Sequence, residues 1–386
     1  MAITKSVTRA FLVAMFLVGF GQASAADTLR LALGYPPGSK ADEVMQKYAE
    51  TVKQYTDGSL SVKVYPMSLL SAAEISDGVR DGIADIGVMY TVYFPAMYPH
   101  TNLVNESAMQ LLLLDPETLN GKEALAFEAA MSEFTLFHCP ECLEEYEKQN
   151  QVYTANATSI SYGLLCTTPV TNQDQLKGKR IRVAGSHWSR WAQHFGASSV
   201  SLTINETLEG LSQGVIDCSI TSPVELINLG LGEVVTDMTL AIPGGLYAGA
   251  SAAGFNQDVW QGLTEEQRRA VLRAGAATTA LSPWASLEQK AEAMALADKE
   301  GIKQHDPDPA LMEATRDFVK ADMDTIVNYY AKNHGVERGK EMLDSFHEIL
   351  VRWVDLVQDV DSVEELEKLY WDEIFSKVDV GTYGMN

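Results

Sequence analysis

A short pattern occurs twice in the chain and constrains the fold more than any other feature. Residues 74–85 read EISDGVRDGIAD and residues 206–217 read ETLEGLSQGVID, so both copies share the first acid, two glycines and the final aspartate. The pattern predicts a short helix that ends at a glycine and leads into a strand. Before each copy come an apolar run, a helical stretch and a β-branched segment. Each half therefore reads strand, helix, strand, helix, strand, which predicts a parallel sheet covered by helices.

The apolar runs that precede the two copies each contain an arginine. Residues 29–33 contain Arg30 and residues 181–184 contain Arg182, and the β-branched segments are residues 60–65 and 200–203. The matching order of elements indicates two similar lobes.

Residues 1–25 have the features of a secretory signal peptide. Lys5 and Arg9 precede an apolar run at residues 11–20, and Ala23-Ser24-Ala25 provides the small residues that a signal peptidase requires. The run has about half the length that a bilayer crossing needs. We therefore expect export to the periplasm, in a Gram-negative bacterium.

The charge of the chain excludes one class of partner. The net charge is −23, and removal of Lys5 and Arg9 with the leader would leave −25. Nucleic acid is therefore excluded as a partner. An anionic ligand would need a local basic group that acts against the overall field.

The length of 386 residues predicts more than one lobe. We assign residues 26–159 and 244–283 to lobe I, and residues 160–243 and 284–386 to lobe II with C-terminal helices. The composition changes at Ser282, after which helices are expected at residues 282–304, 309–334, 337–357 and 362–378. The fold class is thus α/β: a two-lobed binding-protein fold with two parallel-core sheets, a hinged cleft and a long helical C-terminal region.

Two of the four cysteines lie close together, in the sequence His138-Cys139-Pro140-Glu141-Cys142. Cys139 and Cys142 are expected to form a structural disulfide, which an oxidising compartment permits. A redox dithiol and a zinc site with His138 are the alternatives. The sequence leaves the use of Cys166 and Cys218 open.

The sequence contains no motif typical of an enzyme or of a cofactor site. The acids form no recognisable catalytic pair, so we predict a non-enzyme without cofactor or resident metal. His187 and His194 lie on a helix whose residues Trp188, Trp191, Ala192 and Phe195 have the spacing of a buried stripe. Trp188, near the helix start, is the one of these expected beside a ligand.

Two such lobes predict a ligand cleft between the carboxyl ends of their strands. The loops expected to line it are residues 34–38, 66–73, 89–94, 184–188 and 221–225. Gly185 would permit close backbone approach, and helix starts at Ser39 and Ser186 would offer N–H groups to an anion. Arg182 lies in an apolar run, so it must either reach solvent at an edge or hold an anion.

The segment LKGKRIRVAG, followed by FGASSVSLTINETLEGLSQGVID, resembles the signature of DctP-type solute-binding proteins of tripartite ATP-independent periplasmic (TRAP) transporters. The segment GYPPGSKADEVMQKYAETVKQYTDGSLSVKVYP is similar to the opening of that family, and GVRDGIADIGVMY to its third strand. The resemblance implies a receptor that closes on a small organic acid and delivers it to TRAP membrane permease subunits.

In this family an arginine binds the ligand carboxylate, and the matching position of the motif in this sequence is Arg182. A planar guanidinium suits that task because it can donate two parallel hydrogen bonds to a carboxylate. The family asparagine that follows falls near Thr221 or Ser222, and other contacts fall near Tyr162 and Tyr90. Phenols in place of charged groups suggest a monocarboxylate with an apolar or aromatic body. The complete set of expected ligand-binding residues is Arg182, Tyr35, Tyr90, Tyr93, Glu74, Tyr162, Gly185, Trp188, Thr221, Ser222 and Tyr247.

Two other functions compete with this interpretation. One is a periplasmic thiol-disulfide protein that uses Cys139 and Cys142. The other is a binding protein of a different transporter class, which would share the two-lobed plan.

Overall fold

The computed structural model describes residues 27–386, so the expected signal peptide at residues 1–25 lies outside the described part of the chain. The described residues form two six-stranded sheets. The strands are β1 (Asp27–Leu33), β2 (Leu60–Pro66), β3 (Ile86–Tyr90), β4 (Gln151–Val152), β5 (Asn156–Ala157), β6 (Gly163–Cys166), β7 (Arg180–Val183), β8 (Ser198–Ser201), β9 (Cys218–Thr221), β10 (Asp237–Pro243), β11 (Ala250–Asn256) and β12 (Lys303–Gln304).

Helices cover both sheets and fill the C-terminal third of the chain. They are α1 (Lys40–Tyr55), α2 (Ile75–Arg80), α3 (Pro99–Glu106), α4 (Pro116–Leu119), α5 (Glu123–Glu133), α6 (Pro140–Lys148), α7 (Gln173–Leu176), α8 (Ser186–His194), α9 (Thr207–Ser212), α10 (Glu225–Asn228), α11 (Gln257–Gly262), α12 (Glu265–Glu300), α13 (Pro309–His334), α14 (Gly339–Leu356) and α15 (Val363–Glu373). Within residues 27–386, no helix is both long and apolar enough to cross a bilayer.

Each sheet has a parallel core with antiparallel strands added to it. The strand order is β2-β1-β3-β11-β4 in the first sheet, with β5 also paired to β11, and β12-β10-β6-β9-β7-β8 in the second. The strand β1 runs parallel to β2 and β3, and β7 runs parallel to β8 and β9. The strand β11 pairs antiparallel to β3, and β6 pairs antiparallel to both β9 and β10, whereas β10 and β12 are parallel. The predicted two-lobed α/β fold with parallel-core sheets and long C-terminal helices is confirmed.

The chain passes between the sheets through two short segments that lie side by side. Residues 158–162 lead from β5 to β6, and residues 244–249 return from β10 to β11. The amide of Ser159 donates to the carbonyl of Tyr247 at 2.8 Å, and the amide of Tyr162 donates to the carbonyl of Gly245 at 2.8 Å. Adjacent crossing segments of this kind are where a two-lobed protein can bend.

Both copies of the sequence repeat fold as predicted, into α2 with β3 and α9 with β9. The helices are followed by Gly82 and Gly214 in the left-handed conformation, with φ of 73° and 63°. The final aspartates then bind an arginine of the neighbouring strand: Asp85 pairs with Arg30 at 2.7 Å, and Asp217 pairs with Arg180 at 2.6 Å.

This pairing corrects the alignment of the two halves. The sequence repeat suggests that Arg30 corresponds to Arg182. Arg30 also donates its backbone N–H to Asp85 at 2.7 Å, and Arg180 donates its own to Asp217 at 2.8 Å. The counterpart of Arg30 is therefore Arg180, because these two arginines hold the same carboxylate of the repeat. Arg182 has no equivalent arginine in the first lobe.

The helix boundary expected at Ser282 is wrong. The helix α12 is continuous over 36 residues, with Pro283 inside it. Thr264 begins the helix with a capping box, and Gly301 ends it with φ of 72°. The helix packs against α1 and α5 on the first lobe and against α10 on the second. This packing supports the turn in which Pro283 removes a backbone hydrogen bond.

The last two helices pack with the first lobe, which corrects their assignment to lobe II. The helix α14 lies against α5, and α15 lies against α12. Phe346, Trp353 and Tyr370 belong to the same buried cluster as Leu31 of β1. Their apolar faces are covered by first-lobe helices, a contact that sequence order does not reveal.

All four cysteines form disulfides. Cys139 and Cys142 are bonded to each other at the start of α6, as expected, and Cys166 is bonded to Cys218 across β6 and β9. Both sulfurs of the first pair are consumed by the bond, which excludes the zinc alternative. Cys139 and Cys142 are at most 1% exposed, so a substrate thiol could not reach them. This burial argues against the thiol-disulfide alternative.

Candidate ligand-binding site

A cavity lies between the two sheets, at the carboxyl ends of β1, β3 and β7. It contains about 940 Å³ of empty space, its opening to solvent included. Most of its wall is apolar, with side chains such as Val44, Met45 and Val88. The polar and charged side chains that line it are Tyr35, Lys40, Tyr90, Tyr93, Thr158, Ser159, Tyr162, Arg182, Glu225, Asn228, Tyr247, Ser282 and Ser286.

Arg182 lies on β7 and reaches the cavity from the second lobe. Its side chain is fully buried. Its Nε donates to the carbonyl oxygen of Leu202 at 3.0 Å, and its Nη2 lies 3.5 Å from the hydroxyl of Tyr93. Its Nη1 is buried without a hydrogen-bond partner. A buried guanidinium with an open donor is suited to bind an anion.

Five tyrosines form most of the remaining polar wall, and we call Tyr35, Tyr90, Tyr93, Tyr162 and Tyr247 the tyrosine cluster. The ring of Tyr90 lies at the centre, with centroid distances of 6.3 Å to Tyr35, 6.0 Å to Tyr93 and 6.2 Å to Tyr247. Burial raises the pKa of Tyr35, Tyr90, Tyr162 and Tyr247 above the ordinary value of 10. These phenols therefore remain neutral, and they present ring faces and hydroxyl groups to a ligand.

Glu225 lies at the end of the expected cleft loop 221–225, but it was not among the expected ligand-binding residues. It is the first residue of α10, it lines the cavity and it is 5% exposed. Tyr35 donates a hydrogen bond to its Oε1 at 3.1 Å, whereas its Oε2 is buried without a partner. Burial raises the pKa of Glu225 to about 7, against the opposing effects of the Tyr35 hydrogen bond and the Arg182 charge. The signals in the sequence are its place at the end of that loop and an acid within the apolar run Val224-Glu225-Leu226-Ile227.

Hydrogen bonds join the two lobes across the cleft. Besides the Tyr35–Glu225 bond, the amide of Lys40 donates to Asn228 at 3.1 Å, and Asn205 donates to the carbonyl of Gly34 at 2.8 Å. The amide of Ile204 donates to the hydroxyl of Tyr93 at 3.0 Å. We call these four contacts the cross-cleft bonds. They hold the lobes against each other.

The structure brings six of the expected ligand-binding residues to the cavity: Arg182 and the tyrosine cluster. Glu74 is not among them, because it is exposed at the start of α2 and accepts hydrogen bonds from Ser71 instead. Gly185 precedes α8 outside the cavity wall, and a Cβ there would lie 2.7 Å from the ring of His187. Glu74 and Gly185 therefore lie outside the lining of this cavity.

Three further residues of the expected set are buried and lie outside the lining of this cavity. Trp188 is fully buried behind Tyr162, with ring centroids 4.7 Å apart, and its Nε1 donates to the carbonyl of Gly244 at 3.0 Å. Ser222 is buried and accepts a hydrogen bond from the amide of Val224 at 3.3 Å. Thr221 is buried at the end of β9.

The helix start at Ser186 is already occupied by a carboxylate of the protein. Glu106, from α3, accepts hydrogen bonds from the amide of Ser186 at 3.3 Å and from its hydroxyl at 2.6 Å. Arg190 pairs with the same carboxylate at 3.3 Å and with Asp322 of α13 at 2.7 Å. This buried network joins α3 to α8, and of the two arginines it leaves Arg182 as the one that lines the cavity.

A family model described as bacterial extracellular solute-binding protein, family 7 (DctP) matches residues 34–332. The chain belongs to this family. Its members are transporter solute-binding proteins, which are not enzymes. The predicted resemblance to TRAP solute-binding proteins is thus confirmed, which sets aside a different transporter class.

Individual family 7 relatives are distant in sequence but similar in fold. A solute-binding protein of Albidiferax ferrireducens is 22% identical over 326 residues, which are 83% of this chain and 91% of that protein. A TRAP periplasmic solute-binding protein from Bordetella bronchiseptica, with bound (R)- and (S)-mandelate, has a TM-score of 0.70 at 22% identity, over 84% of this chain and 99% of that one. A marine metagenome TRAP protein in complex with pyroglutamate has a TM-score of 0.70 at 18% identity, over 84% and 100%.

Proposed function

We propose that this protein is a periplasmic receptor that binds a small monocarboxylic acid between its lobes and delivers it to a TRAP membrane permease. Arg182 binds the ligand carboxylate, and the tyrosine cluster packs around an apolar or aromatic body. The observation that carries the proposal is the open Nη1 donor of a fully buried guanidinium on the cavity wall.

The composition of the wall supports a monocarboxylate over a more highly charged acid. Besides Arg182, the cavity wall has one basic residue, Lys40, and its Nζ already pairs with Glu43 at 2.6 Å. A second ligand carboxylate would meet Glu225 or neutral phenols. Burying an unpaired charge there is costly. Mandelate and pyroglutamate, which two structural relatives bind, are both compact monocarboxylic acids.

Ligand binding must use both lobes. Micromolar affinity needs about 8 kcal/mol, more than one ion pair supplies after desolvation. The additional free energy comes from ring contacts and from the cross-cleft bonds, which form only when the lobes meet. Closure therefore accompanies binding.

A thermal-shift panel tests the proposal on the processed protein. The panel contains mandelate, phenylacetate and pyroglutamate as compact monocarboxylates, with the diacid succinate and the highly hydroxylated monocarboxylate glucuronate as contrasting classes. A ligand at a hundred times its dissociation constant adds about 2.7 kcal/mol of stability. We expect the compact monocarboxylates to stabilise the wild type but not Arg182→Ala. A preference for succinate would refute the monocarboxylate, and a preference for glucuronate would refute the apolar or aromatic body. A shift retained by Arg182→Ala would refute the role of Arg182 in binding the carboxylate.

Export and delivery have their own tests. Mass spectrometry of the periplasmic protein should find an N-terminus at Ala26. Deletion of the gene should abolish uptake of the radiolabelled acid that the panel identifies, and Arg182→Ala should not restore it. Uptake that survives the deletion would contradict the delivery role.

A further inference from the structure

The cavity holds a second buried charged group, Glu225, which the binding of a simple carboxylate does not explain. Glu225 and Arg182 line the same space, and each keeps one polar atom without a partner: Oε2 of Glu225 and Nη1 of Arg182. Both side chains are at least 95% buried. Buried polar atoms are almost always paired in native proteins, so two open atoms of opposite character indicate a ligand with two complementary ends.

The hydrogen bond from Tyr35 favours the ionised form of Glu225. The phenol donates to Oε1, so this oxygen acts as an acceptor and Oε2 is left to accept as well. A ligand that carried only a carboxylate would meet this acid as a like charge, and the acid would reduce the attraction of Arg182 for it. A ligand with a positive group would instead satisfy Glu225 and leave Arg182 free for the carboxylate.

The tyrosine cluster is compatible with a cation beside Glu225. Tyr35 hydrogen-bonds Glu225 directly, and its ring lies 6.3 Å from that of Tyr90. The faces of phenol rings carry partial negative charge, so grouped tyrosines attract an ammonium while also covering apolar carbon. An acidic group inside an aromatic wall is therefore a site for a protonated amine.

We propose that the ligand is an amino-substituted monocarboxylic acid, with its carboxylate on Arg182 and its protonated amine on Glu225 beside Tyr35. This inference rests on the proposed function, since it uses the same cavity and the same arginine. It adds the chemistry of the second end of the ligand.

Calorimetric titration at pH 8 tests this inference. It compares matched pairs of acids in which one member carries an amine and the other does not. The pairs are 4-(aminomethyl)benzoate with 4-ethylbenzoate, 5-aminopentanoate with hexanoate, and L-phenylalanine with 3-phenylpropanoate. In at least one pair we expect the amine to bind about tenfold tighter or more, a difference near 1.4 kcal/mol. Because the wild-type comparison needs no substitution, it decides the inference even if a variant does not fold.

Variants assign the preference to Glu225. The variant Glu225→Gln should lose the preference for the amine, and its affinity for the carboxylate-only partner should rise because the like charge of Glu225 is removed. The control Glu128→Gln replaces another buried carboxylate, which lies on α5 outside the cavity wall, and it should keep the preference. An unchanged preference in Glu225→Gln would overturn the inference.

The outcomes also separate this inference from the proposed function. Tighter binding of the carboxylate-only acid in every pair, abolished by Arg182→Ala, would overturn the amine and retain the monocarboxylate receptor. Absence of binding by every member of the three pairs, together with binding of the diacid succinate, would overturn both.

Discussion

Arg182 occupies in the second lobe the position that Ala32 occupies in the first. Ala32 is opposite Gly87 and Arg182 is opposite Ser219, each two residues after the aspartate that ends the repeat. Both side chains are fully buried. The same strand position therefore holds a methyl group in one lobe and a guanidinium in the other. The first lobe thus forms the same strand without a charge at this position, which supports the proposed role of Arg182 in ligand binding.

Replacement of Arg182 by Met should abolish ligand binding without loss of stability. Removal of a buried charge with an open donor is often neutral or stabilising, so the unfolding free energy should stay within about 1 kcal/mol of the wild type or rise. Arg180→Met is the matched control on the same strand. Its ion pair with Asp217 is exposed, so it should cost about 0.2–1 kcal/mol and leave binding intact. Urea unfolding and calorimetry measure both quantities, and a loss above about 3 kcal/mol in Arg182→Met would show a structural role.

Glu225 should make the stability of the unliganded protein fall between about pH 4.5 and pH 7. Its pKa is raised from 4.5 in the unfolded chain to about 7 in the fold, so the folded state holds the proton more tightly. The stabilisation from this proton is complete at low pH and is lost as pH rises through that window, by about 3 kcal/mol in total.

The variant Glu225→Gln should therefore match the wild type at pH 4 and exceed its stability at pH 8. Urea unfolding across this range gives the difference. Glu313→Gln removes an exposed acid of α13 and should leave the pH dependence unchanged. Parallel wild-type and Glu225→Gln curves would mean that Glu225 titrates normally in the fold.

The buried network between α3 and α8 should depend on Arg190. Glu106 and Asp322 have side chains only 3% exposed, and Arg190 neutralises both. Arg190→Met would leave two buried carboxylates unpaired, at a cost of about 3–5 kcal/mol. Arg338→Met is the control, since its pairs with Glu141 and Glu341 involve a guanidinium that is 44% exposed, and it should cost less than about 1 kcal/mol. Equal costs in chemical denaturation would contradict the burial argument.

The two disulfides should contribute unequally to stability. The Cys166–Cys218 bond closes a loop of sequence separation 52, whereas the separation of Cys139 and Cys142 is 3. Loop entropy predicts a loss of about 4 kcal/mol for Cys166→Ala with Cys218→Ala, and about 2 kcal/mol for the other pair. Unfolding of the two double variants measures these losses. A larger loss from the short pair would indicate that packing, not loop closure, dominates.

The elements that could be predicted from the sequence are those defined by neighbouring residues. The hydrophobic periodicity and a glycine cap defined α13 to its end at His334, and the repeat predicted two lobes of similar construction. Prediction failed where the outcome depended on packing. The change of composition at Ser282 suggested a helix boundary, but contacts with both lobes keep α12 continuous. The helices α14 and α15 pack on the first lobe because its helices cover their apolar faces.

The amino-acid sequence by itself determined the family, the two-lobed plan and the place of Arg182 in an apolar strand, but it left open whether that arginine is buried. Only the tertiary structure buried Arg182, brought Glu225 to the Tyr35 hydroxyl 190 residues away and paired Cys166 with Cys218. The reason is physical. Helix and strand periods arise from neighbouring residues, whereas a site between lobes is formed by side chains that come together only when distant strands pair and the lobes meet.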